Sequence, residues 1–557
     1  MENIMIVDAS STGINYINDI ASRNYHPVVL YESFGEKHIK LLDDAREAVI
    51  NRYKDVATFI YEQDTFEETV ELVKKYNPKF IIPGSEGGVV LAMKLVGALG
   101  LEGNPVENIP NYTEKDKMHA ALKKAGIRYI KGELVDTLEQ ALDFFDSNKL
   151  KGCVVKPTHG AGSVGVRICN NRDELIKAYK ELENSLNMYG EEGVKTLIQE
   201  KIDGTEYIVN TVSYNGVHRL SSIWRYQKQV VEGGGKVYDY CESINSLETG
   251  CTRLVKYAFD TLDAIGYKYG AVHGEYMVDE QGPVLIETNC RPMGYTMKAS
   301  FVDPIFGHHE SDNVLDTYLN PEWHYQKAKE PYKAYSYGMI KSLITKKESN
   351  VNVMPILDIV KRLKSFSTAN LGMAISGELP RTVDLETSSG TIFMSNKDKA
   401  ALHHDLDFLR KVEKDYFGIF FNDNRIKETN KPENLETVEN ILKMYSNSGS
   451  TIVLSDEDKL DINAVIVDQK TIDDTKHMFN LGIMDLTSND IGVEEYIDLF
   501  YRLTDHIRTG GKIIVPERSY WHFPHGLEGI ESLCEAANLK VEAPTIYDGN
   551  VVVISKI

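Results

Sequence analysis

The chain has 557 residues, a formal net charge of −21, and an ordinary globular composition with 42% apolar and 26% charged residues. This length exceeds what one hydrophobic core can organise, so it predicts three or four domains. The acidic balance argues against general binding to nucleic-acid backbones or anionic membranes, although it leaves room for a basic pocket that holds one nucleotide.

The N-terminal residues MENIMIVDAS have the pattern of a buried strand rather than that of a secretion signal. No apolar run approaches the ~20 residues that a transmembrane helix needs. The six cysteines are scattered without CxxC pairs, which indicates reduced thiols rather than a disulfide framework or a zinc site. The sequence therefore predicts a cytoplasmic protein.

Residues 1–110 alternate short apolar strands with helical patterns, which predicts a parallel, doubly wound α/β domain. Thr65 and Glu68 have the spacing of a capping box at the start of one helix. The loop ASSTG after the first strand lacks the full G-x-G-x-x-G pattern. We therefore expect that loop to be structural rather than a dinucleotide site.

Residues 111–425 predict a second, β-rich domain whose final part, about 330–425, mixes strands and helices. It opens with a helix that is expected to be capped by Thr113 and to stop at Gly126. A polar stretch from Phe421 to Thr437 has the composition of a linker. Residues 438–557 alternate strand and helix signals again, which predicts a third domain of α/β type.

The stretch GEYMVDEQGPVLIETN, residues 274–289, predicts a hairpin around a three-residue loop, 280–282. Because side chains alternate along a strand, its facing positions share one side of the hairpin. The expected opposed pairs are Glu275 with Glu287, Met277 with Leu285, and His273 with Asn289. Opposed carboxylates repel each other, so a positive group is expected between the two acids.

Carboxylate and amide oxygens are ligands that Mg²⁺ prefers, so Glu275, Glu287 and Asn289 predict a magnesium site. Arg291 follows two residues later and is expected on the same side, facing a phosphoryl group. The alternative is a salt-bridged surface hairpin. That alternative does not explain why two acids and an amide converge on one face.

Two further segments have features of a nucleotide site, and each is a weak signal alone. Lys156 ends a strand before a glycine-rich loop whose backbone N–H groups could approach phosphate oxygens; a plain flexible loop is the alternative. In LIQEKIDGTEY, backbone groups near Glu200 could pair with an adenine edge and Glu206 could bind ribose hydroxyls. Surface acids at a turn are the alternative there.

These motifs, in this order and spacing, resemble those of the ATP-grasp ligases, and more narrowly the carboxylate–amine ligases that join L-amino acids. The resemblance covers about residues 1–425 and is carried by KFIIPGSEGG, the Asp116-Lys117 helix, VVKPTHGAGSVGV, LIQEKIDGTEY and EYMVDEQGPVLIETNCRPMG. A later stretch, RTVDLETSSGTIFM, is similar to the extra lid segment of those ligases. The implied fold is an N-terminal Rossmann-like α/β domain followed by an ATP-grasp domain with a lid.

The resemblance implies roles for individual positions. The residues implied to bind ATP are Lys117, Lys156, His159, Gly160, Ala161, Gly162, Ser163, Gly165, Gln199, Glu200, Lys201, Ile202, Glu206 and Leu285. Leu285 would pack against the adenine. Arg291 and Lys156 would be catalytic, with Arg291 stabilising an acyl-phosphate. The residues implied to surround the substrates are Glu86, Arg225, Lys228, Tyr238, Tyr240, His273, Arg291, Gly294 and Tyr295.

The implied activity is ATP- and Mg²⁺-dependent coupling of an amino-acid carboxylate to an amine, with ADP and phosphate released. Two Mg²⁺ ions are expected, with Mn²⁺ as a substitute, and small molecules are the expected partners. A homodimer is compatible with the resemblance, and neither nucleic acid nor a membrane is an expected partner. One alternative keeps the fold with a non-amino-acid donor or acceptor, as in purine biosynthesis.

The C-terminal residues 438–557 resemble the second half of a Rossmann-type methyltransferase, in segments such as GIMDLTSND and HIRTGGKIIVPE. The glycine motif for S-adenosylmethionine is absent, and about 120 residues is short for such a domain. A degenerate, noncatalytic copy is therefore expected. The alternative is that this domain carries a methyltransferase activity of its own.

Overall fold

The structure is a computed structural model of the chain. It describes residues 1–33, 40–157, 166–183, 196–231, 236–247, 251–345, 349–350, 360–361, 363–370, 378–379, 381–383, 387–411, 413, 450–455, 464–468, 470–486, 493–516, 530, 533–534, 539–541 and 551–557. These residues form two compact units, one within Met1–Val230 and Lys236–Met339, the other within Ile340–Val383 and Thr387–Ile557. The three-domain division remains a prediction.

The N-terminal part of the first unit alternates strands and helices: β1 (Asn3–Val7), α1 (Asn15–Ser22), β2 (His26–Tyr31), α2 (Lys40–Tyr53), β3 (Thr58–Tyr61), α3 (Phe66–Tyr76), β4 (Pro78–Pro83) and α4 (Gly88–Leu99). The sheet is parallel, with the order β3-β2-β1-β4. Ile6 packs on the α1 side and Val7 on the α4 side, so helices cover both faces as predicted. The expected capping box of Thr65 and Glu68 is present.

A small antiparallel sheet follows, with strands β5 (Gly132–Val135), β6 (Cys153–Pro157), β7 (Arg167–Cys169) and β8 (Thr196–Glu200). The helices of this region are α5 (Ile109–Thr113), α6 (Lys115–Lys124), α7 (Leu138–Ser147) and α8 (Arg172–Glu183). The order of the sheet is β5-β8-β6-β7. One face packs on helices through Val155 and Ile198. Because side chains alternate, Lys156 and Gln199 lie on the other face.

The helix predicted from Thr113 to Gly126 is wrong at its start. Thr113 ends α5, where its hydroxyl donates to the Ile109 carbonyl, and α6 begins at Lys115 after Glu114. The predicted stop is close, because Gly126 follows the helix with a left-handed φ of 72°. The consequence is that Lys115 lies in the first turn of α6.

The central sheet of the first unit contains β9 (Thr205–Tyr214), β10 (Val217–Val230), β11 (Lys236–Ser243), β12 (Gly270–Asp279) and β13 (Gly282–Asn289). Helix α9 (Cys251–Ile265) lies between β11 and β12 in the chain. The strands run antiparallel in the order β13-β12-β9-β10-β11. Helix α9 packs on one face through a core that includes Tyr257, Tyr276 and Leu285. The opposite face carries the charged residues of the candidate site.

The predicted hairpin is present, and two of its three expected pairs are confirmed: Glu275 lies opposite Glu287, and His273 opposite Asn289. The pairing of Met277 with Leu285 is wrong. A bulge shifts the register, so Leu285 lies opposite Tyr276, and Asp279 lies opposite Gly282 across a turn shorter than predicted. Leu285 therefore points into the α9 core, away from the two acids.

The first unit continues with α10 (Ala299–Phe306), α11 (Glu310–Leu319), α12 (Pro321–Lys327) and the start of β14 (Tyr337–Ser342). His309, just before α11, joins this region to α1, because its imidazole lies 3.1 Å from Asp19 and 2.8 Å from Asp303. Among the helices that the structure describes, none combines the length and apolar character required to span a bilayer. All six cysteines are buried and free.

The second unit contains β15 (Ser349–Asn350), β16 (Phe366–Asn370), β17 (Glu378–Leu379), β18 (Thr391–Asn396), α13 (Lys399–Lys411), β19 (Thr451–Ser455), β20 (Val465–Val467), β21 (Phe479–Asp485), α14 (Val493–Asp505), β22 (Ile507–Pro516), β23 (Leu539–Val541) and β24 (Val551–Lys556). The C-terminal sheet has the order β20-β19-β21-β22-β24-β23, parallel except at β24 and its neighbours. Its α/β character is as predicted. A methyltransferase-like fold stays a prediction.

Candidate active site

Two carboxylates, an amide and an imidazole meet on the side of the β12–β13 hairpin that faces away from α9. Glu275 and Glu287 are directly opposed and half-buried. His273 holds Glu275, with Nε2 3.3 Å from Oε1, while its Nδ1 lies 2.9 Å from Asn210 Oδ1. Asn289 donates its amide N–H to the His273 carbonyl at 3.4 Å. His273 thus contacts Glu275, and its predicted contact with substrate stays a prediction.

The positive group next to the acids is Lys115, a residue that the sequence reasoning missed. Its Nζ lies 2.8 Å from Glu287 Oε2, and both side chains are mostly buried. Lys156 is nearly fully buried on the neighbouring small sheet. Two ammonium groups therefore approach the two carboxylates, one from α6 and one from β6.

These charges shift one another's proton affinities. Burial would raise the pKa of Glu287, but the ammonium groups of Lys115 and Lys156 outweigh burial and hold that pKa well below its usual range. Burial, and then the charge of Lys115, lower the pKa of Lys156 to about 8. Burial and the charge of Lys156 lower the pKa of His119, one turn after Lys115 on α6, to about 3, so this imidazole is neutral.

Lys117, predicted to bind ATP phosphates, lies apart from the acids. It is half exposed and pairs with Asp116 at 3.3 Å. Residues two apart on a helix do not share a face, so Lys115 and Lys117 cannot both point at Glu287. The apolar positions Met118 and Leu122 are buried with Lys115, and this stripe was the sequence signal that could have identified it.

Arg291 and Glu86 form the second edge of the site. Arg291 Nε lies 3.1 Å from Glu86 Oε2, and the loop after β4 supplies Glu86. The structure thus brings together the arginine predicted for the acyl-phosphate and the carboxylate predicted for a substrate amino group. These two roles stay predictions.

The predicted substrate residues Gly294 and Tyr295 lie in a loop that is bound to the N-terminal sheet. Thr12 donates to the Gly294 carbonyl at 3.0 Å and accepts from the Met297 backbone N–H at 2.9 Å. Tyr295 and Thr296 have left-handed φ angles of 66° and 53°, which are costly for residues with a Cβ. Backbone strain of this kind persists only where the surrounding structure enforces it, and such residues cluster at binding sites.

Glu206 and Lys228 lie on the acid side of the central sheet, further along the strands. Lys228 Nζ is 2.7 Å from Glu206 Oε2 and 4.4 Å from the ring centre of Tyr238. Met277 lies opposite Glu206 on β12 and is half-buried. Because the bulge turns Leu285 into the core, Met277 takes the place predicted for Leu285 as the apolar residue on this side.

Arg225 and Tyr240, predicted to form part of the substrate wall, are on the wrong side of the sheet. Arg225 pairs with Tyr207, which faces α9, and its guanidinium lies 2.8 Å from Glu242. Tyr240 lies opposite Gln227, just before a register shift that separates it from Lys228. Alternation and that bulge together place both predicted residues away from Glu275.

The expected adenine clasp lies at the end of β8. Gln199 is buried, and its Nε2 has no hydrogen-bond partner among the residues that the structure describes. Glu200 accepts from the Lys131 backbone N–H at 2.9 Å, and the Lys201 ammonium pairs with Asp203 at 2.9 Å. Ile202 is half-buried next to them. The predicted phosphate loop, His159 to Gly165, lies outside the described residues.

Residues 150–299 match the family model of the ATP-grasp domain. The chain contains an ATP-grasp domain. Lys156, strands β6 to β8 of the small sheet with the clasp, and the paired acids of the hairpin all lie within the matched residues. The ATP-grasp fold with mixed sheets is therefore the core of the first unit.

Curated relatives extend the similarity beyond the ATP-grasp domain. Dapdiamide A synthase of Enterobacter agglomerans is 24% identical over 426 residues, which cover 75% of this chain and 97% of the relative. Alanine–anticapsin ligase of Bacillus subtilis strain 168 is 24% identical over 273 residues, which cover 46% of this chain and 57% of that protein. This chain is thus similar to carboxylate–amine ligases, as the sequence motifs suggested.

A solved structure supports the ATP-grasp fold independently. The L-amino acid ligase from Bacillus licheniformis superposes with a TM-score of 0.57 at 17% identity, covering 74% of this chain and 97% of that protein. At this identity the likeness bears on the fold alone.

The donor set fits the divalent cation that ATP-grasp chemistry uses. Glu275 and Glu287 oppose each other, the Asn289 side chain supplies an amide oxygen, and all three are half-buried on one face. Hard oxygen donors of this kind suit Mg²⁺ or Mn²⁺, with the remaining positions completed by phosphate oxygens and water. The residues therefore fit a magnesium ion bound together with a nucleotide.

Proposed function

We propose that this protein is an ATP- and Mg²⁺-dependent ligase that activates an amino-acid carboxylate as an acyl-phosphate and couples it to the amine of a second amino acid. One observation carries the proposal. Glu275 and Glu287 face each other beside two buried lysines, and the contact of Arg291 with Glu86 forms the second edge of the same site. The names of the relatives, a dapdiamide synthase and an alanine–anticapsin ligase, support an amide-forming reaction.

The nucleotide would lie between the small sheet and the central sheet. Gln199 has an unpartnered buried amide that can donate to a base, and Glu206 is on the side where a ribose would lie. Lys156 would neutralise phosphate charge, and Glu275, Glu287 and Asn289 would hold magnesium. When bound, magnesium neutralises phosphate oxygens and aligns them for transfer.

In the first step a carboxylate oxygen of the donor attacks the γ-phosphorus and ADP leaves. Phosphoryl transfer depends on positioning and charge neutralisation more than on a covalent catalyst. Here Lys156 and Arg291 would approach the transferring group from opposite edges. No serine–histidine–aspartate triad is needed.

In the second step the amine nitrogen attacks the acyl carbon and phosphate leaves. Glu86 would bind an ammonium group of a substrate, since its carboxylate is one-third exposed and next to Arg291. The Gly294–Met297 loop, held by Thr12, would shape the amine pocket with Tyr295. Exclusion of water is required because water would otherwise hydrolyse the acyl-phosphate.

The proposal is tested by measuring phosphate release from ATP and magnesium across pairs of the twenty amino acids. We expect release only when a donor and an acceptor are both present, with the amide product identified by mass spectrometry. Phosphate release without an amide product, including the homodipeptide where a single amino acid is supplied, would contradict amide formation. Release that requires a non-amino-acid amine would instead identify the purine-biosynthesis type of ligase.

A further inference from the structure

The acceptor amine of the proposed reaction arrives as an ammonium, which has no free lone pair and cannot attack an acyl-phosphate until it loses a proton. A general base near the amine pocket is therefore needed. Glu275 and Glu287 are the proposed metal ligands, and Glu86 is paired with Arg291 at 3.1 Å. Each of these three carboxylates would have a cationic partner during the reaction, so the base has to be another group.

Glu310, the first residue of α11, is bonded to the segment that leads into the proposed amine pocket. Its Oε2 accepts the Met293 backbone N–H at 2.6 Å, and Met293 directly precedes Gly294 and Tyr295. Arg291 lies two residues before Met293 in the chain. One oxygen of Glu310 is thus fixed to the backbone between the arginine proposed for the acyl-phosphate and the loop proposed for the amine.

The second oxygen of Glu310, Oε1, has no partner within the part of the chain that the structure describes. No described lysine, arginine or histidine lies within ion-pair distance of the carboxylate, and the N–H of Met293 is its one hydrogen-bond donor there. The side chain is half-buried, and Oε1 is not sealed from solvent. This oxygen therefore borders space that a substrate can enter.

The surroundings of Glu310 suit a base that works near neutral pH. Burial raises the pKa of Glu310 to about 7, although the Met293 N–H and the charges of Arg291 and His309 oppose burial. A general base is most effective when its pKa lies near the working pH.

The groups that face Glu310 keep their charge states in this range. Arg291 stays a guanidinium cation. Hydrogen bonds to two carboxylates outweigh burial and raise the pKa of His309 to about 10. Burial raises the pKa of Tyr16, on α1, well above its usual value, and the charge of Glu310 adds to that shift. Between about pH 6 and pH 9, Glu310 is thus the member of this set that changes charge.

We propose that Glu310 is the general base of amide formation: its Oε1 takes a proton from the acceptor's ammonium so that the nitrogen can attack the acyl carbon. This inference rests on the proposed function and adds a catalytic residue to it. The freed lone pair forms the C–N bond as the C–O bond to phosphate breaks, and a second proton passes from the nitrogen to the departing phosphate. Glu310 then returns its proton to solvent.

Glu310→Gln in the full-length protein separates this role from a structural one, because the amide oxygen can still accept the Met293 N–H but cannot take a proton. With the acceptor amino acid found by the phosphate-release screen, kcat/KM should fall by at least about 10²-fold at pH 7. Hydroxylamine is largely unprotonated at this pH and needs no base. With hydroxylamine as the acceptor, hydroxamate formation by the variant should therefore match that of the wild type.

Glu322→Gln is the matched control. Glu322 is an exposed glutamate in the first turn of α12, and its substitution should change neither amide synthesis nor hydroxamate formation.

The pH profile of the wild type is a second measurement, which does not depend on how the variant folds. With ATP and magnesium saturating, a base with a pKa near 7 makes kcat/KM for the amino acid rise about tenfold per pH unit up to pH 7 and then level off. Without such a base the rate follows the fraction of neutral amine and keeps rising towards pH 9. The second behaviour is expected of Glu310→Gln.

Three results would overturn the inference: near-normal amide synthesis by Glu310→Gln, loss of hydroxamate formation together with amide synthesis, or a wild-type profile that rises steadily from pH 6 to pH 9. Amide synthesis by the wild type leaves the proposed function standing in all three cases. Its absence with every pair of amino acids would contradict the proposed function itself, and this inference with it.

Discussion

The guanidinium of Arg291 lies 3.1 Å, measured at Nε, from Oε2 of Glu86, a residue 205 positions earlier in the chain. The contact joins the segment just after the β12–β13 hairpin to the loop after the fourth strand of the N-terminal sheet. An arginine proposed for the acyl-phosphate and a carboxylate proposed for an amine are thus already adjacent. The two half-reactions of the ligase would take place on either side of this pair.

Glu86→Gln should separate substrate binding from stability. Glu86 is one-third exposed, so loss of its ion pair should change the free energy of unfolding by less than about 1 kcal/mol. The lost charge-assisted contact to a substrate ammonium should raise KM for one amino acid about 10- to 100-fold. Steady-state kinetics with each substrate varied in turn measures this.

In the same experiment the Kd for ATP should stay unchanged. Glu107→Gln, at an exposed position in the same region, is the control and should alter neither KM. An equal rise in KM for both amino acids and for ATP would show that Glu86 acts on the whole site rather than on one amino group.

Glu287→Gln should lower kcat by at least about 10²-fold, because a metal ligand and its charge are lost. From the sequence alone, relief of the opposed charges would leave stability intact. The Lys115 contact changes that expectation: the variant leaves a mostly buried ammonium with a weaker partner, so the free energy of unfolding should fall by about 1–3 kcal/mol.

Glu280→Gln, on the exposed turn of the same hairpin, is the matched control for turnover and for thermal melting. A Glu287→Gln protein that melts at a higher temperature than the wild type would show that repulsion from Glu275, rather than attraction to Lys115, dominates. Near-normal turnover would exclude Glu287 as a metal ligand.

Nucleotide binding should take up a proton in alkaline solution. The pKa of Lys156 is about 8, lowered by burial and then by Lys115, so below this pH the ammonium is already present. Above it the free enzyme loses the proton, and a phosphate-bound ammonium must regain it. We expect uptake near one proton at pH 9 and a Kd for ATP that rises by up to about tenfold per pH unit above 8.

Calorimetry in two buffers of different ionisation enthalpy measures this uptake. Lys156→Arg keeps a permanent charge, so it should bind ATP with no such uptake at pH 9. If the arginine variant takes up as many protons as the wild type, another group titrates on binding.

His309 should make stability fall with rising pH. Burial would lower its pKa, but the hydrogen bonds with Asp19 and Asp303 outweigh burial and raise it to about 10. A raised pKa means that the stabilisation is complete below the unfolded value of about 6.5 and is lost as pH rises towards 10. The melting temperature of the wild type should exceed that of His309→Gln most at pH 6 and least at pH 10. A difference in melting temperature that stays constant from pH 6 to pH 10 would contradict this role of the charged His309 imidazole.

Much of the site was predictable because it depends on short-range patterns. Alternation along the hairpin gives Glu275, Glu287, His273 and Asn289 on one face, and the structure confirms that arrangement. The bulge near Leu285 is different, since no glycine or proline marks it in the sequence. Beyond the bulge, Leu285 and Tyr276 lie opposite each other and share one core with Tyr257 of α9, a long-range contact that the residue pattern does not reveal.

Lys115 was missed for a different reason. The choice between Lys115 and Lys117 depends on the phase of α6, and Thr113 suggested an earlier start for that helix. Arg225 was misplaced because alternation puts it on the opposite face from Lys228, and Tyr240 because the register shift between β10 and β11 separates it from Tyr238. Helix phase and strand register are therefore the properties that residue types alone left undetermined here.

The hydrogen bonds from Thr12 to the Gly294–Met297 loop have a consequence for biosynthesis. Thr12 and Gly294 are 282 positions apart, so the loop's anchor leaves the ribosome long before the loop does. The strained turn at Tyr295 and Thr296 can form only after the strands of the central sheet, β9 to β13, have been translated. A fragment without its first hundred residues would lack that anchor and also Val89 and Met93 of the core beneath the hairpin, so we expect it to lose amide synthesis.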